Sequence, residues 1–459
     1  MKKLISLFLL LNSIVVYSQH SWPKSSPLDY QWMYVGNAGF SLSNVGKLRL
    51  VLSETCQPFV AYTGYLGDTP VLKAMTYDGI HWDTIGAAIN YGFQLRSIDL
   101  AINNSGELFL AYVDGWPSIL TILKYNGISW EHVGPTGFAP SDAGSISLIV
   151  NDKGEPLVGC IYEVGSTAKA MVMKFDGINW TPVGGESIVQ GELGSLKIAF
   201  DPTGILYLAY SESAGKASVM KYNGNTWEYV GEQGISAGKA FYLNLACSPV
   251  DSQPYIAYQD MENSRRTAVK RFDGYTWINV GEENSTPRNA LEPSFAISPE
   301  GKPYIAFFDD AYFHKASVMD FDGSAWNYVG GGGFTQAQIA SPYLAIGSNG
   351  TPILAFRDLG YSQRLSLMKY DSTHLAINDL KKPTIIIYPN PAHERVTIKI
   401  SDMTRNCDLT IFDDKCQTVL SCRVSPGETL FDVSTLPAGL YLIKLVGENY
   451  TNYQKLIKL

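Results

Sequence analysis

From residue 30 to residue 371 short apolar runs alternate with polar punctuation in the same order again and again. In one unit the runs are "PSFAIS", "PYIAFFD", "KASVMDFD" and "AWNYVG". Apolar residues at every second position, enriched in Tyr, Val, Ile and Phe and bounded by Gly, Pro, Asp or Asn, predict β-strands rather than helices. Seven tryptophans set the repeat, Trp32, Trp82, Trp130, Trp180, Trp227, Trp277 and Trp326, with gaps of 50, 48, 50, 47, 50 and 49. Four strands per unit repeated seven times predict an all-β, seven-bladed β-propeller. The first tryptophan segment has no third strand before it, and "LSLMKYD" has no tryptophan after it. The predicted solution is closure, with the N-terminal strand completing the last blade and Trp32 opposite Met368.

Turn chemistry predicts the connections. "NNSGE", "NDKGE", "DPTGI", "SPEGK" and "GSNGT" join first to second strands, each with a Gly for the positive φ of a tight hairpin. Asp-Gly or Asn-Gly pairs, at residues 78, 126, 176, 223, 273 and 322, join third to fourth. Read as two-residue hairpins they place Met220 opposite Trp227, and likewise Met75, Leu123, Met173, Lys270 and Met319 opposite the tryptophans of their own units.

The ends differ from the repeat. "MKKLISLFLLLNSIVVYSQ" has two lysines, an apolar run and a small residue, the pattern of a secretory signal over 1–18, with a lead-in at 19–29. After the propeller at 30–371, residues 372–384 read as a linker. The segment 385–459 carries "YPNPAHERVTIKI", "IFDDKCQTVL", "DVSTLPAGLYLIKL" and a terminal "KLIKL". These motifs, in this order, resemble the type A C-terminal sorting domain of the type IX secretion system of gram-negative bacteria. The matching positions include Tyr388, Pro389, Asn390, Pro391, Gly439, Leu440, Tyr441, Lys455 and Lys458, with Cys416 standing where the family commonly has Gly. The resemblance implies a small antiparallel β-sandwich, the type IX machinery as partner, and a secreted or outer-membrane-surface location.

Composition narrows the function further. Net charge is −8, with 35 basic against 43 acidic residues and no basic block, which removes the electrostatic footprint of a nucleic-acid binder. No segment of the mature chain is long and apolar enough for a transmembrane helix. Cys407 and Cys422 flank a predicted hairpin and could bridge, with Cys416 a rival partner. Cys56, Cys160 and Cys247 fall in different repeats and read as buried thiols. The six histidines, at 20, 81, 132, 314, 374 and 393, show no metal-ligand spacing, and no cofactor or metal is expected.

Chemical motifs are few. "GISAG" around Ser236 matches a nucleophile pattern but lacks the strand before it and the helix after it. "GGGGF" at 330–334 lacks a phosphate loop's Lys and reads as a flexible connector. The Trp-bearing turns compare with the Asp-box of sialidase-like propellers, but they are one residue shorter and structural in meaning. Second strands end in Asp114, Glu212, Asp260, Asp309 and Asp358, with Gly64 and Tyr162 in the other two units. These ends share a face with the longer loops, where a strand-end Asp commonly caps its own loop. Two less repetitive features make the binding candidates: Trp116, and "DDAYFHK" with Asp309, Asp310, Tyr312, Phe313 and His314. Aromatic faces beside carboxylates suit a glycan or a protein ligand. The sequence thus reads as an exported binding module without assembled catalytic groups; the alternative is a polysaccharide hydrolase or lyase with an acidic site on the long-loop face.

Overall fold

The computed structural model describes residues 29–91, 95–115, 118–140, 142–212, 215–373, 384–401, 407–413, 417–425, 427–446 and 451–459. The expected signal segment, Trp116, Cys416 and nearly all of the linker lie outside the described residues. The chain divides into two compact units; one is Tyr30–Asp371, and Ser372–Leu459 belongs to the other.

Among the described residues the first unit holds seven antiparallel sheets, each built on a four-strand meander. We number these blades in chain order. Blade 6, for example, runs Ala290–Ile297, Pro303–Asp309, Lys315–Phe321 and Trp326–Tyr328 from inner to outer strand. Blade 7 takes its outer strand from the N-terminus, Asp29–Tyr34, beside Arg364–Thr373. Each inner strand packs against the inner strands of both neighbouring blades, and Leu48–Leu52 of blade 1 meets Ile339–Ile346 of blade 7, so the ring is closed. A closed ring leaves no seam of stacked sheets open to solvent.

The register of the outer hairpin departs from the sequence expectation. Tyr222 lies opposite Trp227, Lys221 opposite Glu228 and Met220 opposite Tyr229. The reason is the side chain of Asn223. Its Oδ1 accepts the N–H groups of Asn225 and Thr226, at 3.0 and 2.9 Å, and the tight part of the turn moves one residue on, to Gly224 and Asn225. Every hairpin of this type shifts alike, so Trp277 meets Phe272 rather than Lys270. Trp32 lies tilted on Tyr370 at 5.6 Å between ring centroids, and Val35 N–H donates to Leu367 O as Ile85 N–H does to Ala74 O, the register that sets Trp32 against Tyr370 rather than Met368.

Each tryptophan leans on the Tyr or Phe opposite it and also reaches the preceding blade. The seven indole Nε1–H groups donate to the carbonyls of Val35, Ile85, Val133, Val183, Val230, Val280 and Val329, at 2.6 to 3.0 Å. The residue after each carbonyl is a glycine at φ +63 to +81°, where a methyl would sit 2.6 to 3.3 Å from the nearest atom of the arriving indole. The repeat W-x-x-V/I-G is therefore both halves of one inter-blade latch, a ring donor and, three residues on, the socket for the next blade's ring. Phe334, Phe40 and Phe138 stack on Trp32, Trp82 and Trp180 at 4.2, 3.8 and 4.4 Å and cover three of the latches.

The second unit pairs a three-stranded sheet with a four-stranded one around Val396, Ile398, Leu409, Ile411, Ile443 and Leu445, the expected small β-sandwich. Cys407 lies opposite Val424 and Cys422 opposite Leu409, so the two cysteines are not cross-strand partners. Cys160 is buried, as expected, whereas Cys56 and Cys247 are only half-buried.

Candidate functional site

The long-loop face collects three kinds of segment: the loops joining second to third strands, the connections between blades, and the first residues of the inner strands. In blades 5, 6 and 7 these segments repeat in backbone but differ in side chain. Asp309 caps a 3-10 turn, Asp310–Tyr312, with Oδ1 accepting from Ala311 N–H at 2.9 Å, and two left-handed residues follow, Phe313 at φ 56° and His314 at φ 61°. Asp358 does the same for Leu359–Tyr361, followed by Ser362 and Gln363 at φ 56 and 61°. In blade 5 Asp260 accepts from Glu262 N–H, and Ser264 and Arg265 take φ 56 and 58°.

The strand-end acids of blades 5 to 7 are spent inside their own blades. Asp309 is 1% exposed, and its Oδ2 accepts from Ser317 Oγ at 2.9 Å and from Tyr328 OH at 3.0 Å. Burial beside that carboxylate pushes the Tyr328 hydroxyl well above its ordinary pKa. Asp309 thus positions the loop that presents the other candidates. Tyr312 lies edge-on to Tyr328 and rests on Gly333, where a methyl would meet its Cβ at 2.5 Å and its ring at 2.7 Å. The glycine run read as a flexible connector is therefore the seat of Tyr312, required because any side chain there would displace the ring.

What the loop offers to solvent is Phe313, 81% exposed, with His314 Nε2 3.2 Å from the exposed Asp310 Oδ1. The equivalent tips in the neighbouring blades are Ser264 with Arg265 and Ser362 with Gln363. Blade 6 alone of these three puts an aromatic ring at the outermost position.

Sequence reasoning missed two further features. The inner strands of blades 5 to 7 begin with β-bulges, at which Tyr242, Glu292 and Ser341 take φ 51, 50 and 50°. Side chains with φ in this region store strain of about 1–3 kcal/mol each, and such outliers concentrate at functional positions. Glu292 Oε2 accepts from Ser341 N–H at 2.8 Å, and Tyr242 is 50% exposed beside Phe241 at 41%. Partial burial, then the Glu292 charge, raise the Tyr242 hydroxyl above its usual range. No spacing announces a bulge of non-glycine residues, so only the backbone reveals it. The second feature is a cavity of about 500 Å³ lined by Gln190, Glu192, Glu212, Tyr229 and Gln233, where blades 3 and 4 meet. Glu212 stood out as a strand-end acid; its cavity partner Glu192 carried no sequence signal.

Ser236, in the nucleophile-like "GISAG", is 2% exposed, donates to Gly238 O at 2.7 Å and accepts from Ala217 N–H at 2.9 Å. It is a buried bracing hydroxyl.

In the second unit the sorting positions converge. Asn390 donates to Lys455 O at 2.7 Å and accepts from Ile457 N–H at 2.9 Å, tying the Tyr-Pro-Asn-Pro segment to the last strand. That strand, Thr451–Lys458, pairs with Gly439–Val446 so that Gly439 faces Lys458, Leu440 faces Ile457 and Tyr441 faces Leu456. Motifs some 65 residues apart in sequence thus meet along the last strand.

None of the curated protein sequences matches this chain. Among solved structures the chain is similar to the α-L-arabinofuranosidase Arb93A of Fusarium graminearum, at 12% identity and TM-score 0.42, over 62% of this chain and 96% of that one. It is also similar to PorZ, a surface component of the type IX secretion system of Porphyromonas gingivalis, at 11% identity and TM-score 0.33, over 90% of this chain and 70% of that one. A third is the Aleuria aurantia lectin, at 16% identity and TM-score 0.42, over 64% of this chain and 96% of the lectin. Residues 386–459 match the family model described as the secretion system C-terminal sorting domain. The C-terminal unit is a type IX sorting domain, and it addresses this all-β propeller to the medium or the outer-membrane surface.

Proposed function

We propose that the protein is an exported binding module whose propeller holds an extracellular glycan or protein through the long-loop face of blades 5 to 7, without transforming it. The observation that carries this reading is the set of three loops with one backbone and three different tips, of which blade 6 exposes Phe313 beside the Asp310–His314 pair. Asp309 holds the loop, Tyr312 anchors it on the glycine run, and Phe313 supplies a flat apolar face. Asp310 and His314 supply hydrogen bonds to hydroxyl or amide groups. Trp116 joins this proposal from its sequence position alone. Screening the purified full chain on glycan and surface-protein arrays tests it. Phe313→Ala should weaken a detected ligand at least tenfold while leaving the denaturation midpoint unchanged, because an exposed ring contributes little packing. A variant that binds as the parent does, or no ligand on either array, removes the reading.

One observation favours a second reading. Glu192 and Glu212 line the same cavity, and acid-base cleavage of a polysaccharide uses two carboxyl groups flanking one bond. Product release from a polysaccharide panel, abolished by Glu212→Gln, would replace the binding-only reading; a panel without products removes the catalytic one.

A further inference from the structure

Blades 4, 6 and 7 carry a Ser, a Tyr and an acid at the same three positions, and blade 4 arranges them differently. In blade 6 Asp309 Oδ2 accepts from Ser317 Oγ and from Tyr328 OH. In blade 7 Asp358 Oδ2 accepts from Ser366 Oγ at 2.9 Å and from Tyr34 OH at 3.5 Å. Both carboxylates are buried, at 1 and 2% exposure. Blade 4 keeps the serine and the tyrosine at their register, Ser218 opposite Tyr210 and Tyr229 opposite Met220. Ser218 Oγ accepts from Gly234 N–H at 2.9 Å, as Ser317 does from Gly333 and Ser366 from Gly39.

The acid of blade 4 is Glu212, one methylene longer, and it stays out of this network. It is exposed, and its side chain lies along Gly215, where a methyl would meet Oε2 at 2.6 Å and Cβ at 2.9 Å. Tyr229 OH pairs with Tyr210 OH instead, 3.1 Å away. Tyr210 is fully buried and stands where blades 6 and 7 have Phe307 and Phe356, rings with no hydroxyl. The added hydroxyl holds the tyrosine without the acid, and the added methylene lets the acid turn outward. What this leaves is the cavity of about 500 Å³ lined by Glu212, Glu192, Gln190, Gln233 and Tyr229. Gln190 is fixed by a short extra strand, Val189–Gly191, paired with Thr167–Phe175 of blade 3. Tyr229 is 39% exposed. Among the described residues the side chains of Gln190, Glu192, Glu212 and Gln233 form neither a hydrogen bond nor an ion pair. Lys169, opposite Gln190, and Lys216, whose stem lies against Gly234, flank the region and pair with neither glutamate. Two uncompensated carboxylates, two carboxamides and an aromatic ring in one cavity match a ligand with a positive charge, hydroxyls and an apolar face. A neutral sugar would leave the charge unanswered, and a hard metal ion would make no use of the ring.

We propose that this cavity binds a sugar residue carrying a free amine, with the ammonium held by Glu192 and Glu212, the hydroxyls by Gln190 and Gln233, and an apolar ring face by Tyr229. The site uses none of the loop tips of blades 5 to 7, so its failure leaves the loop reading untouched, and the reverse. It also requires no bond to be broken, and it stands whether or not the bound sugar is cleaved.

The test is calorimetric titration of the full chain with a glucosamine trisaccharide, with its N-acetylated counterpart and a glucose trisaccharide as uncharged controls. At about pH 6 an amine of ordinary pKa is protonated and a carboxyl is not. The expected result is saturable binding of the amine form and binding weaker by about tenfold or more for both controls, because a charged hydrogen bond is lost. Glu192→Gln and Glu212→Gln should each weaken the amine form by about tenfold on the same ground. A double variant guards against a folding artefact. Tyr210→Phe with Glu212→Asp installs the pair that blades 6 and 7 carry, so an aspartate of the right length can rejoin Ser218 and Tyr229. This variant should match or exceed the parent's denaturation midpoint while losing the ligand. A parent chain that gives no heat, or that binds the N-acetylated form as tightly as the amine, overturns the proposal. So does a double variant that binds as the parent does, which would assign the ligand to another part of the chain.

Discussion

Two glycines of one hairpin region separate the cost of backbone strain from the cost of breaking a latch. Gly224 sits at φ +98° with nothing within 4 Å of a methyl built on it. Gly184 sits at φ +73°, and its methyl would lie 2.6 Å from Cδ1 and Nε1 of Trp227 and 3.0 Å from Tyr222. Replacing either with Ala places a side chain in the left-handed region, at about 1–2 kcal/mol. For Gly224→Ala that is the whole effect. Gly184→Ala must also push the indole out of its socket, an overpacking cost of about 1–3 kcal/mol. The push removes the bond from Trp227 Nε1 to Val183 O, 2.8 Å long, and strands a partly buried carbonyl; the stranding costs about 1–3 kcal/mol more. The expected loss is about 3–8 kcal/mol for Gly184→Ala against about 1–2 for Gly224→Ala. Urea denaturation of the full chain, read as midpoint and slope, measures both. Combining Gly184→Ala with Trp227→Phe adds a check, since the smaller ring leaves room for the methyl and the double variant should lose less than the two single losses together. Equal midpoints for the two alanine variants would refute the latch as a source of stability.

Acid should reveal the hairpins. The carboxyls of Asp78, Asp176, Asp273 and Asp322 each take two backbone N–H bonds of their turns first, and these hold all four below the usual range. A carboxyl depressed in the folded state contributes stability that is complete above its unfolded value, about pH 4, and fades as the pH falls toward the folded value. Changing all four to Asn copies the amide geometry already present at Asn126 and Asn223. The variant's urea midpoint should therefore fall less than the parent's between about pH 4 and pH 2, and coincident acid limbs would count against the mechanism. In the sorting unit, Asn390→Ala deletes both bonds to the last strand. It should shift the protein from the surface and medium to the periplasmic fraction of an exporting cell; unchanged fractionation would show that this tie is not part of the signal.

Much of the propeller was legible because its signals are local and repeated. Alternation marked the strands, the tryptophan period counted the blades, and the unmatched ends at Trp32 and Met368 required closure. The hairpin register was misread because Asn223 and its equivalents spend their side chains on two N–H groups instead of occupying the turn's centre, a competition between side chain and backbone that the Asn-Gly pair alone does not resolve. The direction of each indole depends on the neighbouring blade, although W-x-x-V/I-G stands in all seven repeats and would have suggested a paired donor and socket. At the candidate site, Asp309 was visible as a strand end, and Phe313 and His314 as a departure from the repeat. The seating of Tyr312 on Gly333 joins two loops, and the bulges at Tyr242, Glu292 and Ser341 are decided by packing rather than by composition. Neither can be read from one segment at a time.

The contrast between latch and loop explains where this fold can change partner without losing its ring. A substitution at a tryptophan or its socket glycine acts on two blades at once and costs several kcal/mol, a large share of what holds a domain together. A substitution at the second-last or last residue of the long loops in blades 5 to 7 alters Ser264, Phe313 or Ser362, or the residue after each, on a backbone that Asp260, Asp309 and Asp358 fix from below. Exchanges among unbranched, non-glycine residues there keep the same left-handed φ and so shift stability by about 0.5 kcal/mol or less. On the proposed binding role the loop caps would decouple recognition from folding: the aspartates hold three tips in one backbone shape while their side chains differ. Specificity should accordingly move with the tip residues when loops are exchanged between blades, and loss of a capping aspartate should weaken binding and stability together.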